Sequence, residues 1–178
     1  MSWDVIIIGA GAAGLMAATH AAERGKRTLL LEKNRKPGVK ILMSGGTRCN
    51  ITHDCDNRGI VAAYGQQGKF LHSALAALSV AETIALFEAE GVATKIEDTG
   101  KVFPVSNKAM DVLEALLSRL KRSGATLVLE EPVQSVRKVG DAFEIITNQR
   151  TLMCPRLVLT LGGQSYPGSG TRGDGYVW

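Results

Sequence analysis

At 178 residues and 45% hydrophobic content, the chain can bury one core, and its length alone suggests about one domain. A net charge of +4 is mild, and with only 5% aromatic residues a stacking surface for nucleic acid is not supported. No apolar run approaches the roughly 18 residues of a membrane span, and the Met1-Ser-Trp-Asp start has no basic n-region or cleavage site, so the expectation is a soluble, cytoplasmic chain with no membrane partner.

Asp4-Val-Ile-Ile-Ile8 is a short apolar run of the kind that forms a strand buried on both faces. It leads into Gly9-Ala-Gly11-Ala-Ala-Gly14, which opens an Ala-rich predicted helix from Ala12 to Arg24, stopped by Gly25. Thr28-Leu-Leu-Leu31 follows as a second apolar strand and ends at Glu32. In such a strand-turn-helix, Gly9 allows the tight turn, Gly11 lets a pyrophosphate approach the backbone, and Gly14 lets the helix pack closely on the strand. The free N–H groups at the helix start, with the positive end of its dipole, then hold the phosphates. Glu32, at the end of the second strand, lies near the offset at which an acid accepts hydrogen bonds from both hydroxyls of an adenosine ribose. A 2′-phosphate about 4 Å from that carboxylate would be repelled by roughly 4 kcal/mol per charge pair at an effective dielectric of 20. FAD or NAD is therefore favoured over NADP, with Lys33 able to soften the repulsion.

Lys33 to about Gln67 reads as a long loop rich in Gly, Asn, Asp and Ser, and its basic start, Lys33 to Lys40, can face an anionic cofactor. Leu71–Leu78 reads as helix, and Ser79-Val-Ala-Glu82 is a capping box opening another that Gly91 ends. Val92–Pro104 predicts two short strands around Asp98-Thr-Gly100. Ser106 can cap a helix over 107–123, with Met110, Leu113, Leu116, Leu117 and Leu120 as its packing face. Thr126–Leu129 is expected as a third parallel strand. Val133–Val139, Phe143–Thr147 and Thr151–Met153 form a predicted meander with turns at Gly140-Asp141 and Asn148-Gln149. Leu157–Leu161 is again apolar and runs into Gly162-Gly163.

Two further stretches carry chemistry. In Lys40-Ile-Leu-Met-Ser-Gly-Gly-Thr-Arg48-Cys49-Asn50, the glycines permit close backbone approach, Arg48 can clamp a phosphate and Asn50 can face a flavin edge. In Leu161–Gly175, a small-residue turn at a strand's C-terminal end is where open α/β sheets bind ligands, and Asp174 can bond a ribityl or ribose hydroxyl. The three cysteines (49, 55, 154) do not indicate a disulfide scaffold, and the three histidines (20, 53, 72) fit no metal-ligand spacing. No side chain stands out as a catalytic acid, base or nucleophile.

The stretches Ile7–Leu15, Lys40–Thr52, Lys101–Ala109 and Gly162–Tyr176 resemble the flavoproteins grouped with aminoacetone oxidase-like and dehydro-bile-acid reductase (BaiN-like) enzymes, a family of NAD(P)/FAD-dependent oxidoreductases. The resemblance implies an α/β, Rossmann-like FAD-binding domain of the two-dinucleotide-binding-domain flavoprotein type, with a β-meander. It implies FAD held by Gly9, Gly11, Gly14, Glu32, Lys33, Arg48, Cys49, Asn50, Gly162, Gly163 and Asp174, with a backbone contact near Val133, and Lys40 of the basic loop is a further candidate cofactor contact. Thr47 stands where the family usually has Gly. Because the chain reaches Trp178 inside the second glycine-rich stretch, residues 1–178 are expected to be the N-terminal FAD-binding portion of a longer protein, truncated before the substrate domain and the C-terminal flavin segment. The expected function is hydride transfer through the flavin to or from a small-molecule substrate, with a nicotinamide nucleotide as one candidate electron donor. Two alternatives stand beside it: a disulfide-reductase-like protein using Cys49 and Cys55, and a nucleotide-binding module without turnover.

Overall fold

In the computed structural model, which describes residues 3–169 and 171–178, the chain opens with β1 (Val5–Ile8), α1 (Ala12–Glu23) and β2 (Thr28–Leu31). There follow α2 (Val39–Met43), β3 (Thr52–His53), α3 (Asn57–Ala63), a 3-10 helix (Gly65–Leu71), α4 (His72–Ala77) and α5 (Val80–Ala89). The hairpin β4 (Thr94–Ile96) and β5 (Lys101–Pro104) precedes α6 (Ala109–Ser123) and β6 (Thr126–Val128). Strands β7 (Val133–Val139), β8 (Ala142–Thr147), β9 (Thr151–Cys154) and β10 (Leu157–Leu159) complete the regular structure, with short 3-10 turns at Pro167–Ser169 and Asp174–Tyr176. Two compact units result: Met1–Ile41 with Leu116–Trp178, and Leu42–Ala115.

The first unit is built on a four-stranded parallel sheet in the order β10-β1-β2-β6. Every residue of β1 and β2 is buried, which is why both read as unbroken apolar runs: a parallel strand covered on both faces has no solvent side to make polar. On one face Ile6, Ile8, Leu29 and Leu31 pack with Ile145 and Cys154 of the meander β7-β8-β9, as alternation along a strand demands. Leu15, Ala18 and Thr19 are the buried stripe of α1, which lies against β1 and β2. Arg119 of α6 grips Glu23 at the end of α1 through two hydrogen bonds of 3.0 Å.

In the second unit β5 lies between β3 and β4, both antiparallel to it, and Val102 and Phe103 are buried. Asn57 fastens the helices: its side chain donates to the Leu75 carbonyl (2.9 Å) and accepts from the Val80 amide (3.2 Å). The capping box forms as expected, the Ser79 hydroxyl accepting from the Glu82 amide and the Glu82 carboxylate from the Ser79 amide.

Three expectations need correction. Residues 33–67 are not one long loop, since α2, β3 and α3 occupy much of that stretch. One residue read there as a loop signal serves instead as a cap: Asp56 accepts from the Gly59 amide (2.8 Å) to start α3. The helix after Ser106 starts at Ala109, with Asn107 in a left-handed conformation before it (φ 56°). Met110 is exposed, because the stripe that α6 buries runs through Val112, Leu113, Leu116 and Leu120 and leaves Met110 on its margin. No single helix among the described residues is long and apolar enough to cross a membrane.

Candidate functional site

The turn after β1 needs its glycines for different reasons. Gly9 adopts φ 102°, and a Cβ on it would lie 2.7 Å from the Thr160 carbonyl oxygen. A Cβ on Gly14 would fall on the Gly9 carbonyl oxygen and 2.7 Å from Thr160 Oγ1, so only glycine lets α1 come this close. Gly11 is the opposite case, since a Cβ there would meet nothing within 4 Å. Gly11 is also the N-cap of α1, with no side-chain cap bond and no acid in the first helical turn. The first N–H groups of a helix have no intrahelical acceptor, and the positive end of the helix dipole lies with them. Backbone that a side chain does not cover, at an uncapped helix start, fits a diphosphate.

Glu32 is 8% exposed. Its Oε2 accepts from the Ala10 amide (2.7 Å), and its Oε1 from the amide (2.9 Å) and side-chain nitrogen (2.7 Å) of Asn34. These donors aim the carboxylate at the glycine turn. Three of its about four acceptor positions are thereby taken, leaving room for one ribose hydroxyl where two were expected.

Lys33 does not turn to Glu32. Its ammonium meets the Asp174 carboxylate at 2.5 Å, so two residues expected on the cofactor hold each other. Lys40 donates to the Thr171 hydroxyl (3.3 Å), and a Cβ on Gly162 (φ 76°) would lie 2.8 Å from the Thr171 methyl. A Cβ on Gly163 would lie 3.5 Å from the Tyr176 hydroxyl. The glycine-rich stretch after β10 thus folds back on itself and onto Lys33 and Lys40. Val133 opens β7 at a register irregularity, two residues after Glu131, whose amide donates to the Glu32 carbonyl (3.0 Å). Within the first unit the fold therefore gathers Gly9, Gly11, Gly14 and Glu32, and separately Lys33 with Asp174 and Lys40 with Gly162.

Arg48, Cys49 and Asn50 belong to the second unit. Arg48 is pinned rather than free to clamp a phosphate: its guanidinium meets Glu97 (2.6 and 3.5 Å), stacks 4.0 Å over the Phe103 ring and reaches the Gly45 carbonyl (3.4 Å). The loop it holds is strained. Gly45, Gly46, Thr47 and Cys49 all have positive φ (56°, 66°, 71° and 63°). For the two residues with a Cβ this conformation costs roughly 1–2 kcal/mol each. At Thr47 that is the penalty a Gly would avoid. Cys49 turns its amide to the Ser44 carbonyl (3.0 Å), while Asn50 is exposed.

The chain between Cys49 and Cys55 is not a helix but contains β3, and all three thiols are free. Burial pushes the Cys49 thiol above its ordinary pKa, with a Ser44 hydrogen bond opposing, so the reactive thiolate is scarce. Half-buried Cys55 is expected to be alkylated by iodoacetamide well before Cys49 and Cys154. Peptide mapping by mass spectrometry checks that order, and equal rates at Cys49 and Cys55 would restore the dithiol reading.

Four residues around these sites escaped sequence reasoning. Asn34 orients Glu32, and Thr160, whose hydroxyl lies within 2.9 Å of the Ile8 and Gly9 carbonyl oxygens, locks the turn to β10. Glu97 pins Arg48, and buried Glu131 anchors the chain beside Val133. Thr160, next to the Leu161-Gly162-Gly163 motif, was within reach of a pattern search, whereas Asn34, Glu97 and Glu131 carry no local signal.

Two curated relatives match nearly the whole chain. The ribosomal RNA dihydrouridine synthase of Escherichia coli (strain K12) is 37% identical over 174 residues, covering 98% of this chain and 43% of that protein. The protein of the same name from Haemophilus influenzae is 34% identical over 177 residues, covering 96% and 43%. The chain thus spans less than half the length of either. Among solved structures, the 3-ketosteroid-Δ4-(5α)-dehydrogenase of Rhodococcus jostii RHA1 is similar in fold, with a TM-score of 0.63 at 16% identity, covering 93% of this chain and 47% of that one. The family model described as the HI0933-like protein Rossmann domain matches residues 3–178, and the chain belongs to that family.

Proposed function

We propose that this chain is the FAD-binding portion of a flavin-dependent oxidoreductase that reduces uridine in ribosomal RNA. The observation that carries the cofactor is the open space over Gly11 at the uncapped start of α1, beside a Glu32 carboxylate held in place by Ala10 and Asn34. The α1 amides take the diphosphate, and Glu32 takes a ribose hydroxyl while disfavouring a 2′-phosphate. Cys49 and Asn50 are the second unit's candidate flavin contacts, as the resemblance implies. Bound flavin supplies hydride transfer, and the protein supplies its binding and orientation.

The substrate reading rests on the name shared by the two curated relatives. Forming dihydrouridine adds a hydride and a proton across the C5–C6 double bond of uracil. The electrons come from a nicotinamide nucleotide, and the reaction belongs in the cytoplasm, where ribosomes are. A small-molecule substrate, expected from the resemblance to flavin oxidoreductases, is the competing reading. The test for the cofactor is titration of the purified chain with FAD, NAD+ and NADP+ by calorimetry. FAD should bind at least about tenfold more tightly than either nicotinamide nucleotide, a difference of roughly 1.4 kcal/mol. Silence with FAD, or a preference for NADP+, overturns the assignment.

A further inference from the structure

The helical surface of the second unit, α3 to α4, contains none of the glycine-turn residues. From Asn57 to Ala81 the sequence contains no aspartate or glutamate, while Arg58, Lys69 and His72 are all exposed. The flanking acids are committed to helix caps: Asp56 to the Gly59 amide, Glu82 to Ser79. Across α3, the 3-10 helix and α4, only Gly68 is buried. Phe70 is 89% and Tyr64 63% exposed, an arrangement that leaves two large aromatic residues mostly in solvent. The scaffold beneath them is tied down. Asn57 bonds to α4 and to the start of α5, and Gly68 packs against the Val61 carbonyl so closely that a Cβ would not fit.

Resting on the RNA reading of the substrate, we infer that this surface docks single-stranded RNA. Phe70 and Tyr64 serve as stacking platforms, and Arg58 and Lys69 lie against phosphates. The low aromatic content of the whole chain gave no support to such a surface, but Phe70 and Tyr64 supply it locally. Bare rings interleaved with cations are what single-stranded nucleic acid requires, because every base has a π-face and every nucleotide a negative charge. An acid-free stretch of 25 residues (57–81) is complementary to a polyanion and unsuited to a basic partner.

The test uses the full chain and a fluorescein-labelled, uridine-rich single-stranded RNA, with binding read by anisotropy from 50 to 200 mM salt. Phe70→Ala and Tyr64→Ala should each weaken binding by about 5- to 150-fold, while Phe70→Trp, which still stacks, retains it. Lys69→Gln should flatten the dependence of log K on log salt by about 0.7. As both rings are exposed, thermal unfolding and retained flavin colour should match the parent chain. If the parent chain binds the RNA and both alanine variants bind equally well, the surface assignment falls and the substrate reading stands. If the parent chain does not bind it, both fall, with the cofactor assignment judged separately by colour. A change of oligomeric state in Phe70→Ala at unaltered RNA affinity also overturns the inference and gives the face to a protein partner.

Discussion

Gly14→Ala is expected to yield a first unit that does not fold stably, whereas Gly11→Ala, three residues away, should fold and fail to hold FAD. The methyl at position 14 has nowhere to go. It would overlap the Gly9 carbonyl oxygen and press on Thr160 Oγ1, both fixed by β1 and β10. Relief requires α1 to move off the sheet, separating Leu15 and Ala18 from a fully buried core. Overpacking usually costs about 1–3 kcal/mol, and a clash with backbone belongs at or beyond the upper end. At position 11 the methyl enters open space in an extended conformation (φ −79°) that any residue adopts, and exchanging Gly for Ala at an N-cap costs no more than about 1 kcal/mol. What it fills is the approach of the diphosphate to the α1 amides. Loss of one or two charge-assisted bonds, each about 1.5–3 kcal/mol, predicts FAD binding weaker by at least tenfold. Urea midpoints and FAD titration of the two variants separate the roles. A stable, flavin-free Gly14→Ala, or a Gly11→Ala that binds FAD normally, contradicts the assignment.

Arg150→Met is expected to destabilise the first unit by about 1–3 kcal/mol: Arg150 itself is 43% exposed, but its removal strands the buried Glu131 carboxylate. Glu131 is 1% exposed, and its carboxylate receives two 2.9 Å bonds from Arg150 and a third from the Thr147 hydroxyl. With Arg150 gone, the carboxylate would remain buried with a single hydroxyl donor. The double variant Glu131→Gln, Arg150→Met should recover part of the loss, because it removes the orphaned charge. Chemical denaturation checks both. The consequence reaches the cofactor site, because the Glu131 amide bonds the Glu32 carbonyl. If Arg150→Met costs less than about 1 kcal/mol, the pair behaves like an ordinary surface bridge and its anchoring role is lost.

The features legible in the chain were those with a local cause. Val5–Ile8 and Thr28–Leu31 announced buried parallel strands through unbroken apolar runs, the glycine spacing placed the start of α1, and Ser79 with Glu82 marked the start of α5. The meander followed from alternation and from turns at Gly140-Asp141 and Asn148-Gln149. Residues 33–67 misled because Asn, Asp and Gly favour caps and loops alike, and only neighbouring structure decides between them. Met110 misled because helical spacing defines a stripe but not its margin.

Side-chain partners were beyond local reading. Arg48 reads as a phosphate clamp in its motif, yet Glu97, 49 positions away, and Phe103 occupy it. Lys33 reads as a neighbour of Glu32, yet it pairs with Asp174, 141 positions on. From its residues alone this chain was committed to a Rossmann-like nucleotide turn, since hydrophobic period, helix propensity and glycine freedom act over a few residues. Which charges meet, which glycine stays open to a ligand and which aromatic rings face solvent depend on segments far apart in the chain. Those choices came into being only when packing brought the segments together.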